Sequence, residues 1–308
     1  MKSGTIAIIS SAKDTAGMAI KQQLLKNYGF DEIKGESFEG SPVYALPIED
    51  YEARLFTASA DSIRCESIDK KIAADIFVFA TRHVSSAGVP ALTTHSIGNW
   101  GKAEFGGRDS TICPTSPSLL KLFLQNLAAV AKPKSSECCL RGNILRLETK
   151  QARLGPVGAS RLGSESYAGE VVQEATHHGP YIEKPAVFIE VGSSEKEWND
   201  PQLASMVADS LIGGLGDYVA LENDFRPVVG LGGMHYAEGF RKLMLDTDYA
   251  VGHVCPKHHL ASLTKELLQK AMDSCGAKAV ALDWKGLGSE KQKIVELLES
   301  SGIEYFRT

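Results

Sequence analysis

The chain has 308 residues, of which 43% are hydrophobic and 23% charged, which is typical of a globular protein and excludes a disordered or collagen-like one. The net charge of −5 excludes a surface that binds nucleic acid through positive charge all over, so any such site must be a local patch. No apolar stretch approaches the ~20 residues of a membrane-spanning helix, and the first residues lack the pattern of a secretory signal. We therefore expect a cytoplasmic protein without a membrane partner.

The first half is predicted to open with a strand and a helix. An apolar, β-branched run predicts a strand over 5–10, and Asp14 is a candidate N-cap for a helix that ends near Asn27. Ser116 followed by Pro117 is typical of a helix start, and this apolar helix extends toward Pro133. Further strands are predicted at 43–48, 54–58 and 75–80.

Strands and helices alternate regularly in the second half. Strands are predicted at 171–176, 186–191, 227–231, 249–254, 279–283 and 303–306. Helices are predicted at about 201–212, 238–245 and 259–275, with a last helix opened by a capping box from Ser289 to Gln292. This order predicts an α/β fold with a mixed, mostly parallel sheet covered by helices on both faces, in one large domain over 1–308.

The segment 121–161 differs in charge from the rest of the chain. It holds eight Lys and Arg residues against two Glu residues, which gives +6 in an otherwise acidic protein. One interpretation is a solvated surface that includes a Gly-rich loop. The other is an insertion that contacts phosphates through residues such as Lys121, Arg141, Arg146 and Arg153.

Histidines recur where predicted strands end, which is where open α/β sheets build their sites. This group comprises His83, His95, His177, His178 and His235. Several imidazoles at one sheet edge repel one another when protonated, so the pattern favours neutral rings bound to a cation such as zinc. Glu174 and Glu190 are candidates for a metal ligand, for a partner that orients a ligand, or for a general base.

Gly179-Pro180 after the histidine pair predicts a turn, which is needed because adjacent residues of a straight strand point to opposite faces. The segment GLGGMHY matches no nucleotide-binding motif, and its glycines are expected to let a substrate approach the backbone beside His235. His253, Cys255, His258 and His259 form an alternative set of metal ligands, although their spacing matches no known metal-binding motif. No G-x-S-x-G nucleophile elbow is present, and the six cysteines form no C-x-x-C pair.

Together these motifs resemble the D-aminoacyl-tRNA deacylases of the archaeal and plant type. The resemblance is carried, in order over residues 81–253, by TRHVSS, LTTHSIGNWG, EATHHGPY, FIEVGSSEKEW, GLGGMHYAEGF and a late GH. It implies a three-layer α/β/α fold that is phosphorylase/hydrolase-like. It also implies an enzyme that uses zinc-activated water, with one or two zinc ions per chain, to hydrolyse the ester of a D-amino acid on tRNA.

From the residues and the resemblance together we assign three sets of site residues. The catalytic set is His83, His178, Glu174 and Glu190, and the zinc set is His95, His177 and His235. The substrate set is Gly232, Gly233, Tyr236, Asn99, Arg141, Arg146 and Arg153, with 121–161 facing tRNA. We expect a monomer without an obligate protein partner. The alternatives are a metal-dependent hydrolase of small D-amino-acid derivatives and a non-catalytic nucleoside- or RNA-binding module.

Overall fold

The computed structural model describes residues 3–86, 88–131, 167–220 and 225–308. Its strands are β1 Gly4–Ser11, β2 Asp31–Phe38, β3 Ser41–Ile48, β4 Tyr51–Ala58, β5 Ile76–Arg82, β6 Ala91–His95, β7 Gly98–Asn99, β8 Thr111–Ile112, β9 Glu170–Gln173, β10 Ala186–Gly192, β11 Arg226–Leu231, β12 Tyr249–Cys255, β13 Ala279–Leu282 and β14 Glu304–Arg307. Its α-helices are α1 Thr15–Asn27, α2 Pro117–Val130, α3 Glu195–Trp198, α4 Pro201–Ala220, α5 Glu238–Asp246, α6 Lys265–Cys275 and α7 Lys291–Ser301. None of these helices is long and apolar enough to cross a membrane.

The strands form two principal sheets. The larger sheet has eight strands in the order β2-β3-β4-β1-β5-β10-β6-β9, and the smaller one has four parallel strands in the order β12-β11-β13-β14. In the larger sheet β4, β1, β5 and β10 are parallel, whereas β6 runs antiparallel to β10. The predicted α/β class with a mixed, mostly parallel sheet is confirmed. The sequence analysis did not predict that the strands divide into two sheets.

Helices lie on both sides of the sheets. On one face of the larger sheet α1, α2 and α4 cover a core that includes Ile8, Val78 and Ile189. Its other face packs Phe79 and Phe188 against two 3-10 turns. Because α2 contacts both β6 and β12, it joins the two sheets, and α6 and α7 cover the far side of the smaller one.

Two predicted helix starts are confirmed. The Asp14 side chain accepts a hydrogen bond from the Gly17 N–H, and the Ser116 side chain accepts one from the Leu119 N–H. Other predicted boundaries were wrong. The strand Asp31–Phe38 was missed because it is polar and half exposed, and β9 ends at Gln173 instead of at 176.

Three helix predictions also need correction. The helix α4 continues past Ile212 to Ala220. Within this extension Gly214 lets α4 approach α2, because a Cβ there would lie 2.4 Å from the Phe123 ring. The segment 257–262 is a 3-10 turn, and α6 begins only after the N-cap Thr264. No capping box from Ser289 forms, because a 3-10 turn over 288–290 precedes α7.

Lys121 corrects the prediction for the basic segment. It lies in α2, is 1% exposed, and its ammonium donates to the carbonyls of Met244, Thr247 and Tyr249 at the end of α5. Burial lowers the pKa of Lys121 to about 8. It therefore caps a helix C-terminus inside the protein and cannot contact phosphates.

We predict that Lys121→Met lowers the free energy of unfolding by about 2–4 kcal/mol, because it leaves buried carbonyls without a donor. Lys270→Met, at an exposed position of α6, is the matched control and should change it by less than about 0.5 kcal/mol. Urea unfolding followed by circular dichroism measures both. Equal stability of the two variants would contradict the capping role.

Candidate active site

The structure brings the five strand-end histidines and both glutamates into one cluster. The ring centroids of His95 and His177 are 4.3 Å apart, those of His177 and His178 4.3 Å, and those of His177 and His235 4.6 Å. His83 joins from the other side, with Nδ1 3.2 Å from Oε1 of Glu174. The sequence pattern therefore located the cluster, although it did not show how the residues are arranged.

The cluster lies on a face of the larger sheet and not only at its edge as we expected. Glu190 lies within β10, and His95 ends β6 directly opposite Phe188. The His95 ring stacks on Phe188 at 5.1 Å between centroids, and Phe188 stacks on Phe79 at 4.6 Å. The stacked rings of Phe188 and Phe79 thus support His95 from below and set its position.

The adjacent residues His177 and His178 both face the cluster because the chain turns between them. His178 has φ = 47°, the left-handed region that a straight strand never uses. Gly179 follows in close contact with the neighbouring loop, since a Cβ there would lie 2.2 Å from the Gly107 nitrogen. The predicted turn at this point is confirmed.

Three rings share one hydrogen-bonding arrangement. Nδ1 of His95 donates to the carbonyl of Ser96 (3.0 Å), that of His177 to Ala175 (2.8 Å) and that of His178 to Gly179 (2.6 Å). A ring nitrogen that faces a carbonyl must carry the proton, so the neutral ring keeps its lone pair on Nε2. Each ring is thereby fixed in the tautomer and orientation that a metal ligand needs.

Glu190 is held by hydroxyl groups from the two neighbouring strands. Thr81 on β5 donates to its Oε1 at 2.7 Å, and Thr93 on β6 donates to its Oε2 at 3.1 Å. Nδ1 of His83 lies 3.5 Å from Oε2, and Nε2 of His95 lies 3.6 Å from Oε1. We missed both threonines, although each precedes a site histidine by two residues and so points to the same face of its strand.

Glu174 is fully buried and lies between His83, His177 and His235. Its Oε2 is 2.7 Å from Nε2 of His235 and 3.7 Å from Nε2 of His177. On the far side of His83, Nε2 forms a 2.8 Å hydrogen bond with the Tyr236 hydroxyl. Glu174, His83 and Tyr236 therefore form a continuous polar chain.

The carboxylates of the cluster and the neighbouring His83 stabilise each other's charged forms. Burial raises the pKa of Glu190, but its neighbour His83 outweighs it and holds that pKa well below its usual value. Burial lowers the pKa of His83, but Glu190 and Glu174 outweigh it and raise the pKa to about 10. Burial lowers the pKa of His178 to about 4.

The cluster contains a buried ring nitrogen that no donor among the described residues satisfies. Nε2 of His95 is buried and accepts no hydrogen bond from them, whereas the carboxylate of Glu174 is shared between His83 and His235. Three sets of side chains place their ligand atoms within 4.8 Å of one another: His95 with His177 and His178, Glu174 with His177 and His235, and His83 with Glu174 and Glu190. Imidazole and carboxylate groups in such sets fit a zinc ion.

The expected substrate residues have different surroundings. Gly232 and Gly233 have φ of 106° and 80°, so they form the predicted tight turn next to His235. Asn99 is 8% exposed, and its amide group donates to the carbonyls of Gly106 and Arg108, which holds that loop in place. Arg141, Arg146 and Arg153 lie outside the described residues.

The alternative set of metal ligands, His253, Cys255, His258 and His259, does not form a metal site. His253 is fully buried, and both of its ring nitrogens lie within 3.0 Å of serine hydroxyls. Burial raises the pKa of the Cys255 thiol. The His258 and His259 rings lie 4.3 Å from each other, outside the cluster of seven.

Comparison with known proteins decides the family. The D-aminoacyl-tRNA deacylase family model matches residues 70–141 and 159–306, which include every histidine and glutamate of the cluster. The chain belongs to the D-aminoacyl-tRNA deacylase family. It is 34% identical to the D-aminoacyl-tRNA deacylase of Thermococcus kodakarensis and 32% identical to that of Pyrococcus horikoshii, over 97% of this chain and 98% of each relative.

A solved structure shares the fold of this family member. The crystal structure of a conserved protein of unknown function superposes with a TM-score of 0.77 at 30% identity, covering 100% of this chain and 96% of the other. The arrangement of strands that builds the cluster is therefore that of an experimentally known fold.

The left-handed backbone at His178 generates a stability prediction. His178→Asn and His178→Val both remove the ring, but Asn tolerates positive φ and the β-branched Val does not. We expect His178→Val to be less stable than His178→Asn by about 1–2 kcal/mol. Equal urea midpoints for the two variants would contradict the assigned backbone conformation.

Proposed function

We propose that this protein hydrolyses the ester bond of D-aminoacyl-tRNA and releases a free D-amino acid and tRNA, using a water molecule activated at a zinc site. The names of the relatives support the substrate. The observation that carries the mechanism is that three adjacent imidazoles are held through Nδ1 by backbone carbonyls, so that Nε2 is the unprotonated nitrogen of each neutral ring, and that their ligand atoms lie within 4.8 Å of one another.

His95, His177 and His178 would hold the zinc ion. Zinc bound by three histidines keeps an open position, lowers the pKa of a bound water to about 7 and polarises an ester carbonyl. This assignment moves His178 from the catalytic to the ligand set, because its Nδ1 is fixed like that of the other two. His235, which we expected as a ligand, lies beside Glu174 instead, with 46% of its side chain exposed.

A second ion cannot share His177, because that residue has one unprotonated ring nitrogen. If the protein holds two ions, the second falls to the set of His83, Glu174 and Glu190. We propose one tightly bound zinc ion per chain, since the carboxylates of that second set are already compensated by His83 and by the Thr81 and Thr93 hydroxyls.

Glu174, His83 and Tyr236 can move the protons of the reaction. Glu174 takes a proton from the attacking water at a carboxylate oxygen, and the Tyr236 hydroxyl gives a proton to the ribose oxygen that leaves. His83, protonated at both ring nitrogens, then returns a proton to Tyr236 from Nε2 (2.8 Å), while its Nδ1 keeps its proton beside Glu174 (3.2 Å). When the products leave, Glu174 releases its proton to the solvent and Nε2 of His83 regains one, which restores the starting state. Glu190 orients His83 throughout.

The remaining expectations become parts of this proposal. The rest of the basic segment, with Arg141, Arg146 and Arg153, contacts the acceptor end of tRNA, whereas Lys121 does not. The protein acts in the cytoplasm as a monomer, with tRNA as its partner and no obligate protein partner.

Deacylation of paired substrates tests the proposed function. We expect the purified protein to hydrolyse D-aminoacyl-tRNA at least about 100-fold faster, in kcat/KM, than the L-aminoacyl form, to lose activity on chelation and to regain it with zinc (a ~100-fold ratio is about 2.7 kcal/mol). Activity on small D-amino-acid esters without any on tRNA would support the small-substrate hydrolase instead. Binding of tRNA without turnover would support a non-catalytic module.

Tyr236→Phe tests the proton chain. Removing the hydroxyl should lower kcat by about 10- to 100-fold, the lower end of typical acid–base contributions, and leave KM nearly unchanged. Tyr44→Phe, on the distant strand β3, is the matched control and should keep wild-type kinetics. An unchanged kcat in Tyr236→Phe would remove Tyr236 from the mechanism.

Charge reversal of Arg141, Arg146 and Arg153 tests the tRNA contact. KM for D-aminoacyl-tRNA should rise, and the salt dependence of binding should weaken by about 0.7–0.9 in log–log slope per lost phosphate contact. Hydrolysis of a small D-aminoacyl ester should stay the same. Reversal of Lys265, Lys270 and Lys278, which are exposed on and after α6, controls for net charge, and an equal KM in the two variants would contradict the assignment.

A further inference from the structure

His253 is a fully buried imidazole that takes no part in the cluster. It lies on β12, in the smaller sheet, and three hydroxyl groups surround it. Nδ1 lies 3.0 Å from Oγ of Ser96 and 3.3 Å from Oγ1 of Thr176, while Nε2 lies 3.0 Å from Oγ of Ser274 on α6. Both sides of the ring are therefore engaged.

The two hydroxyls on the Nδ1 side belong to residues next to zinc-site histidines. Ser96 follows His95, and Thr176 precedes His177. The two hydroxyl oxygens are 2.7 Å apart. Two hydrogen bonds also join Thr176 to Val254. The Thr176 N–H donates to the Val254 carbonyl (3.0 Å), and the Val254 N–H donates to Oγ1 of Thr176 (2.9 Å). Residues 253 and 254 thus tie together the two segments that carry His95 and His177.

The hydrogen bonds run in one direction along this chain. Ser96 and Thr176 have one hydroxyl proton each, and one of the two joins the hydroxyls to each other, so the other is left to bond Nδ1 of His253, which lies 3.0 Å from Ser96 and 3.3 Å from Thr176. Ser274 donates to the carbonyl of Ala271 at 2.9 Å, so Nε2 of His253 carries the proton that bonds Ser274. Nδ1 of His253 is therefore the acceptor and Nε2 the donor, which specifies a single tautomer of the ring. Burial lowers the pKa of His253 to about 3, consistent with the neutral ring this chain requires.

We infer that His253 is a positioning residue for the zinc site, because it fixes Ser96 and Thr176 and through them the relative placement of His95 and His177. This inference rests on the zinc site of the proposed function. Groups that orient metal ligands without touching the metal typically change metal affinity by about 10- to 100-fold when replaced. With both nitrogens engaged by hydroxyls, His253 is not itself a ligand.

Two substitutions separate the two sides of the ring. In His253→Asn the side-chain oxygen occupies the place of Nδ1 and keeps the bond to Ser96, while the bond to Ser274 is lost. In His253→Gln the amide nitrogen reaches the place of Nε2 and keeps the bond to Ser274, while the bond to Ser96 is lost. Ser274→Ala breaks only the bond on the α6 side and is the matched control.

The zinc dissociation constant, measured by competition with a chromophoric chelator, is the deciding quantity. We expect it to rise by about 10- to 100-fold in His253→Gln and to stay within about threefold of wild type in His253→Asn and Ser274→Ala. Thermal unfolding of each variant separates lost stability from lost affinity, because a merely structural role predicts affinities that follow the unfolding midpoints. Wild-type affinity in His253→Gln, or equal weakening in Ser274→Ala, would overturn the inference. If the wild-type protein binds no zinc, the zinc site of the proposed function fails and this inference fails with it.

Discussion

Placing seven titratable side chains in one cluster, four of them buried (His83, His95, Glu174 and Glu190), is the constraint on which the rest of the structure depends. Protonated imidazoles this close would repel one another, and buried carboxylates lose their hydration, so each group needs a specific partner. Backbone carbonyls fix His95, His177 and His178, while threonine hydroxyls fix Glu190. Nε2 of His95 is left buried without a hydrogen-bond donor among the described residues, and a cation satisfies such a lone pair.

Each of the two sheets positions a different part of this cluster. The larger sheet supplies His83, His95 and Glu190 from adjacent strands above the stacked Phe79 and Phe188 rings. The segment that carries Glu174, His177 and His178 leaves the larger sheet after β9. It then bonds through Thr176 to Val254 in the smaller sheet and through Ala175 to His235, which follows a strand of that sheet. The relative placement of the two sheets therefore sets the geometry of the site, which is why a residue such as His253 matters at a distance.

The sequence predicted what local patterns encode. Regular alternation predicted the α/β class, and histidines at the ends of β-rich runs predicted a shared site. The polar edge strand β2 lacks the apolar pattern of a strand, so it was missed. Lys121 stood out by its charge, but its partners are carbonyls more than 120 residues later in the chain, and no local pattern specifies them. Which ring nitrogen of each histidine is free likewise depends on carbonyl positions that only the folded backbone sets.

X-ray diffraction on both sides of the zinc absorption edge, from crystals grown with zinc, tests the central claim most directly. We expect an anomalous peak about 2.0–2.1 Å from Nε2 of His95, His177 and His178 together. A peak bound instead through Nδ1 of any of these rings, a peak at another set of residues, or no peak at the cluster at all would contradict it.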